Sequence, residues 1–349
     1  MALLLLGNSC VRAGYKNAGY QNDASSIPAD LSIPADLSIP TDLRTDGVTD
    51  QSHDVAPADV AVSDHGPDLT LPCTTPCVLA SGMARPFAIA VHGVRVFVTD
   101  FGDATSGLFW LPIAGGAPTR LCTAGAGIYA LITDGTDLYW PHTTGLSRVA
   151  IQGGTPVSLA STTHGKSVIL SGGWIYWVRS AGTDGGVFRT PVGGGPVETL
   201  HTGQGFNNLV LVGDTIYAAS YSGLVASLPA SGGTLTTIAT GQGGPWGIAT
   251  DGSALVWANH TAGELVRYPL PTGPATVIAS GVGGAHQVAM VGHVVYATGD
   301  TSGRIVRVRP GHAVEDLATG VGQPKNLVVH GDFVYFTDDV GGRVLRVAR

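Results

Sequence analysis

Leu209-Val210-Leu211-Val212-Gly213-Asp214-Thr215-Ile216-Tyr217 is an apolar run, a glycine corner and a second run carrying an aromatic. Short runs rich in Val, Ile, Leu and Tyr, broken by Gly, read as two strands joined by a tight turn. Corner and aromatic are four residues apart. The same spacing recurs at Gly93/Phe97, Gly135/Tyr139, Gly172/Tyr176, Gly252/Val256, Gly292/Tyr296 and Gly331/Tyr335. Successive aromatic positions lie 42, 37, 41, 39, 40 and 39 residues apart. Seven in-register copies at a period of about 40 residues, in strand-forming sequence, predict propeller blades.

Each copy continues through a loop glycine into a third strand that often ends in Arg, as in Gly186-Val187-Phe188-Arg189. A short fourth strand such as Pro156-Val157-Ser158-Leu159-Ala160 completes the unit. The seventh copy stops at Arg349 after its third strand. Its missing fourth strand stands at the front, in Cys77-Val78-Leu79-Ala80-Ser81-Gly82, which matches Thr276-Val277-Ile278-Ala279-Ser280-Gly281. The predicted fold is therefore all-β, a seven-bladed propeller of four-stranded blades over residues 77–349, closed by an N-terminal strand. Closure removes the unpaired edges that invite aggregation.

Composition agrees. Gly is 51 of 349 residues, about twice the usual share of roughly 7% and without a collagen period. Hydrophobic residues are 44% and charged ones 12%, the reverse of a disordered chain or a coiled coil. The net charge of −7 leaves no basic stripe for a nucleic-acid partner.

Residues 1–72 are a different material. Met1 to Gly7, MALLLLG, is too short to span a bilayer. With Cys10 after the small Ser9, residues 1–20 have the layout of a secretory signal or a bacterial lipoprotein signal, with Cys10 as the lipidation site. No Lys or Arg precedes the run and Gly7 replaces the usual Leu, so a plain N-terminus with a free Cys10 is the alternative. Ser26 to Leu43 reads SIPADL SIPADL SIPTDL. Pro breaks helix and strand, and Asp keeps the segment hydrated, so residues 21–72 read as a disordered, Asp/Pro-rich linker. An anchor, a tether and a folded body suit an extracytoplasmic protein of a bacterial cell envelope.

Phe97-Val98-Thr99-Asp100 and Tyr335-Phe336-Thr337-Asp338 resemble the Tyr-Trp-Thr-Asp repeat of low-density-lipoprotein-receptor propellers. Pro245-Trp246-Gly247-Ile248-Ala249-Thr250-Asp251-Gly252 is similar to NHL-type and virginiamycin-B-lyase-type repeats. The resemblance covers 77–349 and implies a propeller, not one function. Receptor propellers of the first kind usually have six blades, so seven copies suit the lyase-like ring better. That resemblance implies a metal-assisted elimination using His and Glu. Glu198, Glu264 and Glu315 form no His-x-Glu pair at an expected mouth position, so the catalytic pattern does not carry over. His286 remains the one mouth histidine to test as a general base.

Six residues before the repeat glycine stand Phe87, Tyr129, Lys166, Asn207, Trp246, His286 and Lys325. The scaffold does not dictate this position, which opens the first strand near the ring axis. Seven such residues around one mouth read as a ligand surface, or as a rim that tolerates anything; Trp246→Ala and Lys325→Ala are expected to leave the melting temperature nearly unchanged. Three residues after the aromatic stand, among others, Asp100 and Asp338, neighbours once the ring closes. With Asp339 they are weak candidates for a hard cation, Ca²⁺ or Mg²⁺; the receptor resemblance implies instead structural hydrogen bonds between blades. No cofactor is predicted. Cys73 and Cys77 are spaced for a small disulfide, which export would permit, and Cys122 reads as a small buried hydrophobe.

No GxSxG elbow, HExxH helix or phosphate loop is present. The sequence thus points to a tethered ligand- or protein-binding propeller, its partner an unknown protein, small molecule or glycan, with membrane contact only through the lipid anchor. The alternatives are a propeller enzyme, a metal-assisted lyase or a lactonase-like hydrolase working at the central mouth, and a purely structural surface protein.

Overall fold

The seven repeat glycines all take left-handed backbone, with φ between +54° and +90°. A side chain is strained there, which is why this one residue survives in every copy. The computed structural model describes residues 73, 75–101, 106–161, 164–180 and 184–349. Cys10 and the expected anchor (1–20) and linker (21–72) lie outside the described residues.

Among the described residues, 28 strands form seven four-stranded antiparallel sheets. The blades span 86–122, 132–161, 165–202, 208–239, 245–279 and 285–318, and the seventh combines 324–348 with Cys77–Ala80. In that last sheet Cys77 pairs with Arg346 and Ala80 with Val344, so the N-terminal strand supplies the fourth strand of the final blade. First strands of neighbouring blades touch all the way round, including Pro86–His92 against Pro324–His330. The chain is a closed seven-bladed propeller.

The blades are held face to face by seven clusters of buried apolar side chains, one in each cleft. The repeat aromatics sit in them: Phe97, Tyr139, Tyr176, Tyr296 and Tyr335 are buried. Leu79 and Ala80 of the closing strand pack with Tyr335 and Val344 of the last blade and Ile89 and Val96 of the first. Cys122 is buried. Cys73 and Cys77 are joined by a disulfide with Cα atoms 5.7 Å apart, and the Cys73 carbonyl accepts the Ala348 N–H at 3.0 Å.

One blade departs from the expected unit. The first strand of the second blade is only Ile132–Thr133. Gly125 and Gly127, with φ of +78° and +69°, keep the approach to it out of extended backbone. Tyr129 therefore stands on an irregular segment.

Candidate functional site

In a four-stranded meander, the loop entering the first strand and the loop between second and third strands open on one face. The first strands line the axis. In five blades the pairing of first and second strands slips where the mouth residue sits: at Phe87, Lys166, Trp246, His286 and Lys325. Such bulges re-aim side chains. Here they break the strand alternation at the residues that surround the mouth.

The slip frees a backbone N–H, and a threonine takes it. Thr99 Oγ1 accepts the Ala88 N–H at 2.9 Å, Thr298 that of Gln287 at 3.0 Å and Thr337 that of Asn326 at 3.2 Å. The same hydroxyls donate onward to the next blade: to Ile128 O, Lys325 O and Phe87 O. The Thr of the repeat motif is thus the staple between blades.

The neighbouring Asp works within its own blade. Asp100 accepts the N–H groups of Ala84 and Arg85 at 3.0 and 2.6 Å. Asp338 accepts those of Gly322, Gln323 and Gly341 and the Arg343 guanidinium. Each carboxylate holds the loop entering its blade's first strand. The receptor-like expectation of bonds between blades is met one residue later, where Asp339 takes a bidentate contact from Arg85 of the first blade at 2.9 and 2.8 Å. These oxygens are turned to N–H donors and guanidinium groups and do not converge as a cation site. Among the described residues, no three His, Cys, Asp or Glu side chains gather as a metal site.

Of the seven mouth residues, six line one central cavity of about 250 Å³: Phe87, Tyr129, Lys166, Asn207, Trp246 and His286. They differ in what they can offer. Phe87 and His286 are only 6% and 4% exposed. Phe87 stands edge-on to Tyr129 and to His286, at 5.4 and 6.0 Å, and His286 stacks on Trp246 at 4.8 Å. Together they form an aromatic floor across the axis. Asn207 is partly committed, its side-chain oxygen accepting the Tyr221 N–H at 3.1 Å. Lys325 does not line the cavity; its ammonium lies 2.8 Å from the buried Asp300. Phe87 and His286 are therefore built into the scaffold, and so is Lys325, against the expectation that its replacement leaves melting nearly unchanged.

A second circle was not legible as such in the sequence. Four residues after the repeat aromatic stand Phe101, Thr143, Ser180, Tyr221, His260, Asp300 and Asp339. Phe101 stacks on Phe87 at 4.9 Å, Tyr221 is edge-on to Trp246 at 5.4 Å, and His260 Nε2 donates to Asp300 at 3.1 Å. The signal was one residue beyond the position read as facing the mouth.

The electrostatics are uneven. Burial alone would raise the Asp300 carboxyl, but hydrogen bonds from His260 and Lys325 hold it at about 2. Burial, reinforced by the Lys325 charge, pushes His286 down to about 3. Its Nδ1–H donates to Lys325 O at 3.0 Å, which leaves Nε2 as an acceptor on a neutral ring. Lys166 is the contrast. Its ammonium sits 3.3 Å over the Tyr129 ring, has no carboxylate partner among the described residues, and is lowered by burial. Below the floor, Ser167 Oγ donates to Asn208 at 3.0 Å and Asn208 reaches Gln287 at 3.3 Å. Gly247 leaves room for the next blade, because a Cβ there would lie 2.7 Å from the His286 carbonyl oxygen and 2.9 Å from Gln287 Cα.

The ring is similar to solved lyases. Virginiamycin B lyase from Staphylococcus aureus superposes with a TM-score of 0.67 at 15% identity, over 79% of this chain and 98% of that one. A catalytically inactive form from the same organism with quinupristin gives 0.67 at 16%, over 79% and 98%. A streptogramin B lyase structure gives 0.66 at 14%, over 78% and 96%. No protein-family model and no curated protein matches the chain. At these identities the likeness shows the fold, a complete propeller ring of the kind those lyases share.

Proposed function

We propose that the chain is a binding propeller, displayed outside the cytoplasm on a flexible N-terminal tether, whose central mouth takes a ligand with a flat apolar body and an anionic group. Lys166 carries this reading: a cation without a carboxylate partner among the described residues, on the face of Tyr129, in a cavity that Trp246 also lines. Flat aromatic area supplies binding energy at small conformational cost, and Trp and Tyr dominate many interfaces. The tether rests on the Cys10 layout and the Asp/Pro repeat. A Cys10→Ser chain that still fractionates with membranes would overturn lipid attachment. Loss of binding in Trp246→Ala and Lys166→Ala, with folding intact, tests the mouth.

One observation favours a second reading, chemistry at the same mouth. His286 presents a neutral Nε2 beside the His260–Asp300–Lys325 group, an acceptor able to hydrogen-bond and orient a bound substrate, while at about 3 it is too weakly basic to deprotonate one near neutral pH. The two readings separate on the fate of the ligand. A binding protein returns it intact. A lyase or hydrolase converts it, and conversion stops in His286→Asn.

A further inference from the structure

A second cavity, of about 530 Å³, lies between the fifth and sixth blades, on the face opposite the mouth. It is walled by Ile278, Val295 and Val308 and edged by Arg267, Arg309, His293 and His312. Among the described residues, no Asp or Glu lines it, although the chain as a whole carries −7.

Arg267 is the informative residue. It stands on a third strand at a position that is Arg in five blades, and the other four are committed. Arg148 bonds Asp137, Arg189 bonds Glu198, Arg307 bonds Glu315 and Arg346 bonds the Ile113 carbonyl. In the third and sixth blades the partner is the residue directly across the strand pair: Arg189 faces Glu198 and Arg307 faces Glu315. In the fifth blade the facing residue is Thr276. The exchange of Glu for Thr leaves the Arg267 guanidinium without a partner among the described residues. The nearby acids are occupied: Asp251 by His293 at 2.8 Å, and Glu315 by Arg307 and Arg309.

We propose that this cavity binds a small anion with an apolar body, a carboxylate or a phosphate or sulfate ester, with Arg267 as its charge partner. A guanidinium offers two parallel N–H donors to such groups. The apolar wall accounts for the rest of the volume, which falls in the range of small-molecule sites. This site is independent of the mouth and stands or falls separately.

The test is an NMR titration of the full chain with phenyl phosphate at fixed pH, read at the imidazole signals of His293 and His312. Phenol and inorganic phosphate probe the apolar body and the anion alone. Phenyl phosphate should shift both histidines with an affinity at least about tenfold above either fragment, tenfold being about 1.4 kcal/mol. Arg267→Gln should weaken it by about tenfold or more. Thr276→Glu should do the same while leaving the melting temperature unchanged or higher, because it restores the pairing of the third and sixth blades. Histidine signals that do not move with phenyl phosphate, phenol binding as well as phenyl phosphate, or unchanged affinity in both variants would each overturn the proposal.

Discussion

Thr337 Oγ1 donates to the carbonyl oxygen of Phe87 across 2.7 Å and 250 residues of chain. The same hydroxyl accepts the Asn326 N–H, so one buried side chain repairs a bulge in the last blade and fastens that blade to the first. Thr298 does this between the sixth and seventh blades, and Thr99 between the first and second. The three staples are consecutive and span the place where the ring closes.

Replacing Thr337 by Val keeps shape and leaves two buried polar groups unpaired. Each such group costs about 1–3 kcal/mol, so Thr337→Val should lose about 2–6 kcal/mol. Thr337→Ser should recover most of it. Urea unfolding of both variants checks this; equal stability of Val and Thr would remove the staple.

Ring closure by the N-terminal strand gives a second contrast. Deleting residues 1–72 should leave melting unchanged. Deleting 1–84 also removes Leu79 and Ala80 from their cluster and exposes Arg343–Ala348 as a free edge. That chain should melt far lower and aggregate, and equal melting of the two would contradict closure.

Lys325 and Lys166 should now behave oppositely. Lys325→Ala strips the buried Asp300 of its cation and should cost about 3 kcal/mol of stability. Lys166→Ala removes only a cation–π contact and should cost about 1 kcal/mol or less. Thermal melts of the pair decide it.

The pH dependence follows from His286, held at about 3 by burial and the Lys325 charge. An unfolded imidazole titrates at about 6.5. Below that pH the unfolded chain gains a proton that the folded chain refuses. The His286 contribution is therefore intact above pH about 6.5 and is lost as pH falls toward about 3. His286→Asn keeps a donor for Lys325 O and does not titrate. Its stability should fall less steeply on acidification, by up to about 1.4 kcal/mol per pH unit. Parallel curves for the two proteins would refute the assignment.

The fold was legible because its constraints are local. Gly213 and its six counterparts are held by backbone conformation, and the match of Cys77–Gly82 to Thr276–Gly281 exposed the closing strand. Mouth residues were legible as positions, since variability at a fixed offset marks freedom from the core. Their roles were not. Lys325 looked like Lys166, but one meets Asp300 and the other an aromatic face, and only the packing of neighbouring blades decides which. His260 and Asp300 escaped notice because bulges in the facing first strands turn the circle of mouth neighbours by one residue. Arg267 and Thr276 looked ordinary until the cross-strand register placed Thr where other blades have Glu.

The Trp246 indole reports directly on the proposed mouth site. Its ¹H–¹⁵N signal, identified by its loss in Trp246→Phe, can be followed while aromatic carboxylates are titrated into the full chain. Some of these compounds should move this signal and bind at least about tenfold more weakly to Lys166→Ala, about 1.4 kcal/mol, with melting temperatures preserved. Ligands that bind the ring while leaving the Trp246 signal and the Lys166→Ala affinity unchanged would place the function elsewhere.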